Sequence, residues 1–122
     1  MTTSDKRPET SDLAARHCVP CEGGTPPMTR AEAERYLAQV AGWQLVEGEP
    51  LKIARGVKRK DFAEAMAFVN SIADLAEREQ HHPDICISWN RVKLELFTHA
   101  IGGLSENDFI MAAKIDELVK AA

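Results

Sequence analysis

The sequence predicts an α+β fold of two layers: a four-stranded antiparallel sheet with three helices packed on one face, in the order αββαββα. Three observations carry this. Two regions alternate apolar and polar residues with period two about a short turn, and three repeat apolar residues at helical spacing behind a capping residue. A length of 122 residues suits one domain with one core.

Residues 1–28 stand apart. They are rich in Thr, Ser, Gly and Pro and end in Glu22-Gly23-Gly24-Thr25-Pro26-Pro27. This composition predicts an extended arm with little helix or strand of its own, ahead of a domain over 29–122. The first helix starts at Thr29, which forms a capping box with Glu32, and its stripe is Ala33, Tyr36, Leu37 and Val40. Gly42 ends it. Trp43–Val46 and Leu51–Val57 read as a hairpin about Glu47-Gly48-Glu49-Pro50.

The second helix runs from an Asp61 cap to Gln80, with Phe62, Met66, Val69, Ala73 and Ala76 on its expected inner face. His81-His82-Pro83 stops it, because the residue before a proline avoids the helical region. Two strands follow. Ile85, Ile87 and Trp89 share one face, and Val92, Leu94 and Leu96 continue it after an Asn90-Arg91 turn. The third helix opens with Ser105 as cap and Asp108 at its third position. Leu104 and Phe109 form a staple, and Phe109, Ala112, Ile115 and Val119 form the buried face.

Lys and Arg number 15 against 19 Asp and Glu, a formal net charge of −4. That balance argues against binding bare nucleic acid or anionic lipid. No apolar run approaches the ~20 residues of a membrane span. Met1–Lys6 lack the apolar centre of a signal peptide. Three cysteines are too few for a disulfide framework, so the expected setting is the cytoplasm with reduced thiols. Cys18-x-x-Cys21 has no second knuckle to complete a zinc site, and free thiols are expected there. Cys86 reads as a small strand residue.

Three of the four histidines fall between positions 81 and 99. With Asn90-Arg91 as the turn, Trp89 faces Val92, Ile87 faces Leu94, and His82 faces His99. That register places His82 and His99 side by side on the open face, with His81 at the adjoining helix end. Imidazoles gain and lose protons near neutral pH, so such a cluster suits a reaction needing both an acid and a base. Glu77 and Asp108 are placed to orient an imidazole or meet a substrate. Asp108 also has a structural use as the acidic residue of the cap. Glu77 also has a plainer reading as a solvated helix residue near Arg78, with the functional reading preferred. Trp89 shares the parity of Ile85 and Ile87, which favours core packing.

The ordered set Glu77, His81-His82-Pro83, Trp89, Thr98-His99 and Gly103-Leu104-Ser105-Glu106-Asn107-Asp108 resembles the pterin-4a-carbinolamine dehydratases. The resemblance covers roughly residues 28–120. The lead-in His17-Cys18-Val19-Pro20-Cys21-Glu22-Gly23-Gly24 resembles bacterial members. It implies a dehydratase that converts 4a-hydroxytetrahydropterin to quinonoid dihydropterin and water, in tetrahydrobiopterin recycling after aromatic amino acid hydroxylation. It implies no metal and no cofactor, the pterin being substrate, and a homodimer or homotetramer functionally linked to a hydroxylase. It assigns His81 and His99 to acid/base work, His82 to positioning, and Glu77, Pro83, Thr98 and Asp108 to the pterin site. Two alternatives stand beside it: a metal-dependent hydrolase built on the histidines, and a regulatory dimerisation or binding module on the same fold.

Overall fold

The computed structural model describes residues 10–20 and 25–121. The elements run α1 (Thr10–Ala15), α2 (Arg30–Leu37), β1 (Gln44–Val46), β2 (Lys52–Lys58), α3 (Phe62–Glu79), β3 (Asp84–Ser88), β4 (Arg91–Leu96) and α4 (Glu106–Ala121). A single 3-10 turn, His99–Ile101, lies between β4 and α4. The predicted order αββαββα stands from α2 onward. The sheet is antiparallel throughout, in the order β1-β2-β4-β3.

Local chemistry sets the helix starts. The Thr29 side chain accepts from Glu32 N–H and the Glu32 side chain accepts from Thr29 N–H, a complete capping box. Asp61 caps α3 by accepting from Glu64 N–H at 2.9 Å. Gln80 closes α3 in the left-handed region, with φ 55°.

One face of the sheet forms the core floor: Ile53 and Val57 of β2, and Val92, Leu94 and Leu96 of β4, are buried. Phe68, Ile72 and Leu75 of α3 and Phe109, Met111 and Ile115 of α4 complete this core. The other face carries Ala54, Gly56, Cys86, Ser88 and Lys93 along an open groove.

Four expectations need correction. First, α3 turns a different face inward. Ala65, Phe68, Ile72 and Leu75 are buried; of the expected face only Ala76 is buried, Val69 packs partly buried against the core, Met66 is partly buried, and Phe62 and Ala73 are exposed. α3 carries two apolar stripes at helical spacing, and the packing, not the periodicity, selects between them.

Second, the β3–β4 turn is Trp89-Asn90. The ladder pairs Ile85 with Leu94, Ile87 with Val92 and Ser88 with Arg91. Asn90 decides this: its backbone oxygen accepts from Arg59 N–H at 2.8 Å, and its Nδ2 donates to Arg59 O at 3.0 Å. The difference is two residues, so the same apolar side chains still face the core. Third, Trp89 sits at the turn tip with φ 51°, 64% exposed, and takes no part in the core.

Fourth, the arm is built into the domain. Leu13 of α1 is fully buried, and Lys114 Nζ donates to Ala14 O at 2.7 Å. α1 packs against α4, and much of α4 is buried, including Asn107, Asp108 and Asp116. Asp116 is satisfied there by Trp43 Nε1 at 2.9 Å and Arg55 Nη1 at 2.6 Å. Cys21 lies outside the described residues.

Candidate active site

α3 ends at one edge of the sheet, and this brings His81, His82 and Pro83 beside the end of β4. After Leu96 the chain leaves the strand. Thr98 N–H donates to Gly103 O at 2.7 Å, and Gly102 takes φ 68°, closing a tight loop around the 3-10 turn. His99 rides on that loop. His82 and His99 are therefore not cross-strand partners, and that expectation is corrected. All three histidines nonetheless line one cavity of about 640 Å3, together with Pro83, Phe97 and Thr98.

Each histidine has its own surroundings. His81 is the buried one, 11% exposed, and its Nε2 lies 2.7 Å from Oδ1 of Asp108, which is fully buried. Asp108 Oδ2 accepts from Ser105 N–H at 2.9 Å and from Thr98 Oγ1 at 2.9 Å. Thr98 gives its hydrogen to Asp108, so the 2.7 Å contact between Thr98 and Ser105 hydroxyls is donated by Ser105. A carboxylate only accepts, so His81 Nε2 carries a hydrogen and Nδ1 is the basic nitrogen of the neutral ring. His82 is exposed, and its Nε2 lies 2.7 Å from Glu77 Oε2. The His99 ring packs against Phe97, tilted by 43° with centroids 4.0 Å apart. Among the described residues its nitrogens meet no hydrogen-bond partner.

The carboxylates stand behind the histidines. Neither Glu77 nor Asp108 lines the cavity; Glu77 reaches it through His82, and Asp108 through His81. Asp108 fills both of its sequence-based roles at once. It accepts the Ser105 N–H at the start of α4 and holds a ring nitrogen. Among the described residues, no group of three or more His, Cys, Asp or Glu side chains is arranged to hold a metal ion.

The sequence model of the family described as Pterin 4 alpha carbinolamine dehydratase matches residues 26–118. The chain belongs to this family. An Arabidopsis thaliana relative, "Pterin-4-alpha-carbinolamine dehydratase 2, mitochondrial", is 48% identical over 111 residues, which are 88% of this chain and 59% of that one. A Nitrosomonas europaea relative, provisionally named as the same dehydratase, is 51% identical over 111 residues, covering 90% of this chain and 96% of that one. A crystal structure from Brucella melitensis, described as a transcriptional coactivator/pterin dehydratase, is 36% identical with a TM-score of 0.72. It covers 76% of this chain and 98% of that one. A pterin dehydratase-like protein described as a RuBisCO assembly factor in the alpha-carboxysome is 25% identical. Its TM-score is 0.56, over 64% of this chain and 89% of that one.

In this carbinolamine dehydratase family member the arm adds residues that motif reading missed. Cys18, Val19 and Pro20 line the cavity, as do Glu79 and Asn107. The only signal for Asn107 was its place beside Asp108, and Glu79 looked like any surface helix residue. Burial pushes the Cys18 thiol up to about 12, helped by the nearby Glu79 and Asp108 carboxylates, so it stays a neutral thiol.

Glu79 is only 6% exposed. Burial alone would raise its pKa, but the Cys18 N–H, His17 and Lys114 outweigh that and hold it below the ordinary 4.5. A depressed folded-state pKa means that the unfolded chain binds the proton more readily. This contribution to stability is present above the ordinary carboxyl range and is lost as pH falls through the folded value. Glu79→Gln is expected to flatten the acid side of the stability profile. Urea midpoints measured from pH 7 down to pH 3 for both proteins check this, and parallel profiles would contradict it.

No helix among the described residues is long and apolar enough to cross a membrane.

Proposed function

We propose that this protein dehydrates a 4a-hydroxytetrahydropterin to the quinonoid dihydropterin, at the histidine-lined cavity. The observation that carries the reading is the pair of dissimilar imidazoles in one cavity. His81 is buried with its tautomer held by Asp108, and His99 is exposed with both nitrogens open.

The reaction removes a hydroxyl from C4a and a hydrogen from N5. The C4a–O bond breaks as a proton reaches the oxygen, and water leaves. The N5–H pair becomes the new C4a–N5 double bond as a base takes the proton. His81 is suited to be the base, because its hydrogen bond to Asp108 leaves Nδ1 bare, and the carboxylate stabilises the imidazolium that forms. His99 is suited to be the acid. His82, exposed and paired with Glu77, serves to bind and align the substrate. Pro83 and Thr98 complete the wall. The chemistry calls for no cofactor or metal, and the product goes to a reductase that regenerates the tetrahydropterin. A second copy of the chain as partner, and a cytoplasmic setting, fit this reading.

The direct test is the rate of water loss from a 4a-hydroxytetrahydropterin generated in situ, followed by the rise of quinonoid absorbance. The expected result is acceleration well above the spontaneous rate in metal-free buffer. A rate equal to the spontaneous one would refute the reading. It would favour a binding module, the reading for which the RuBisCO assembly factor of similar fold speaks.

A further inference from the structure

The N-terminal segment Arg16–Pro20 forms a strap whose Cys18, Val19 and Pro20 line one side of the cavity, and its attachments are unusually complete for an arm of this composition. The Asn107 side chain binds both backbone groups of Val19. Val19 N–H donates to Asn107 Oδ1 at 3.0 Å, and Asn107 Nδ2 donates to Val19 O at 2.6 Å. One residue back, Cys18 N–H donates to Glu79 Oε1 at 2.8 Å, and its Sγ meets Asn107 O at 3.6 Å. Both anchors are themselves buried.

This fixation satisfies the strap's backbone but not its side chains. Val19 remains 64% exposed, one of few large apolar residues so placed, and it lines the cavity with Pro20. Holding an apolar side chain rigidly at the rim of a site prepares it to be covered by a ligand. The part of the strap that lines the cavity carries no group suited to proton transfer at neutral pH: valine, proline, and a thiol pushed up to about 12. Its effect on a bound molecule is therefore contact without chemistry. The strap lies ahead of residue 26, where the match to the family model begins, and within the stretch shared with relatives that align over about nine tenths of this chain.

We infer that Val19 and Pro20 form a specificity wall for the non-reacting part of the pterin, its C6 substituent, and that Asn107 is the positioning residue that holds this wall beside His81. The inference rests on the pterin reading of the cavity. The shared first turn of α4 supplies the register. Asn107 fixes the strap and the adjacent Asp108 fixes the base, so the wall and the reacting nitrogen are set by neighbouring residues of one rigid element.

The test compares wild type, Val19→Ala and Asn107→Ala on two substrates, 4a-hydroxytetrahydropterins bearing a methyl or a dihydroxypropyl group at C6. Binding of the corresponding 7,8-dihydropterins is measured in parallel by calorimetry. Val19→Ala is expected to raise KM about tenfold for the substrate whose C6 group it contacts and less for the other, with kcat within about twofold. The dihydropterin affinities should shift in the same ratio. Asn107→Ala should give the same KM-against-kcat split, and Val19→Ala carries the test if that variant folds poorly. Unchanged KM and affinity for both substrates in Val19→Ala would overturn the inference. Equal changes for both would overturn the selective role. Wild type that binds dihydropterins without turning over substrate, with affinity lowered by Val19→Ala, would keep the wall and reject the dehydratase. Wild type that binds neither dihydropterin would reject both.

Discussion

Replacing His81 by alanine is expected to lower kcat by roughly 10²–10⁴-fold, the range for loss of a positioned general acid or base, with little change in KM. His99→Ala is expected to act in the same sense. His82→Ala should instead raise KM more than it lowers kcat. The difference follows from surroundings. His81 is buried and held at Nε2 by a buried carboxylate, so it is preorganised for one protonation role. Among the described residues His82 pairs with the exposed Glu77, and an exposed pair of this kind holds little energy. Steady-state kinetics of the three variants, with thermal melts to confirm folding, test the division. Equal loss of turnover with unchanged KM in all three would refute it.

Asp108 should show two separable losses. Asp108→Ala removes the acceptor for Ser105 N–H, Thr98 Oγ1–H and His81 in a fully buried place. Leaving buried donors unpaired is expected to cost about 3 kcal/mol of stability, read from urea unfolding. Asp108→Asn keeps the shape but has a single acceptor oxygen. If that oxygen serves Ser105 and Thr98, the amide nitrogen faces His81 and donates. The ring must then carry its hydrogen on Nδ1, and the base is lost. Turnover should fall by roughly 10²-fold or more while the fold survives, as expected where a carboxylate fixes a catalytic tautomer. Normal turnover in Asp108→Asn would show that Asp108 serves only the start of α4.

The sequence was most informative where the physics is local. The capping box at Thr29, the Asp61 cap, the helix stop at His81-His82-Pro83 and the alternation of Ile85, Ile87, Val92, Leu94 and Leu96 each need only near neighbours, and each is in the structure. The gathering of three histidines was legible for the same reason. A helix end and a strand end joined by a short hairpin must lie together whichever turn is used.

What the sequence left undecided were choices between locally equal alternatives. Two turns, one residue apart, keep the same residues on the core face, and only the contact of Asn90 with Arg59 separates them. α3 carries two apolar stripes, and only packing against the sheet and α4 selects one. His82 was set against His99 by counting residues, but the loop closed at Gly102 and Gly103 takes His99 out of the strand. The arm looked unstructured because its fixation is non-local, through Glu79, Asn107 and Lys114. By itself, then, the sequence determined the elements, their order and the histidine cluster, since these rest on hydrogen bonds and periodicities within a few residues. Only the tertiary structure decided which imidazole Asp108 holds and what covers the cavity, since those contacts join residues 27 to 89 positions apart.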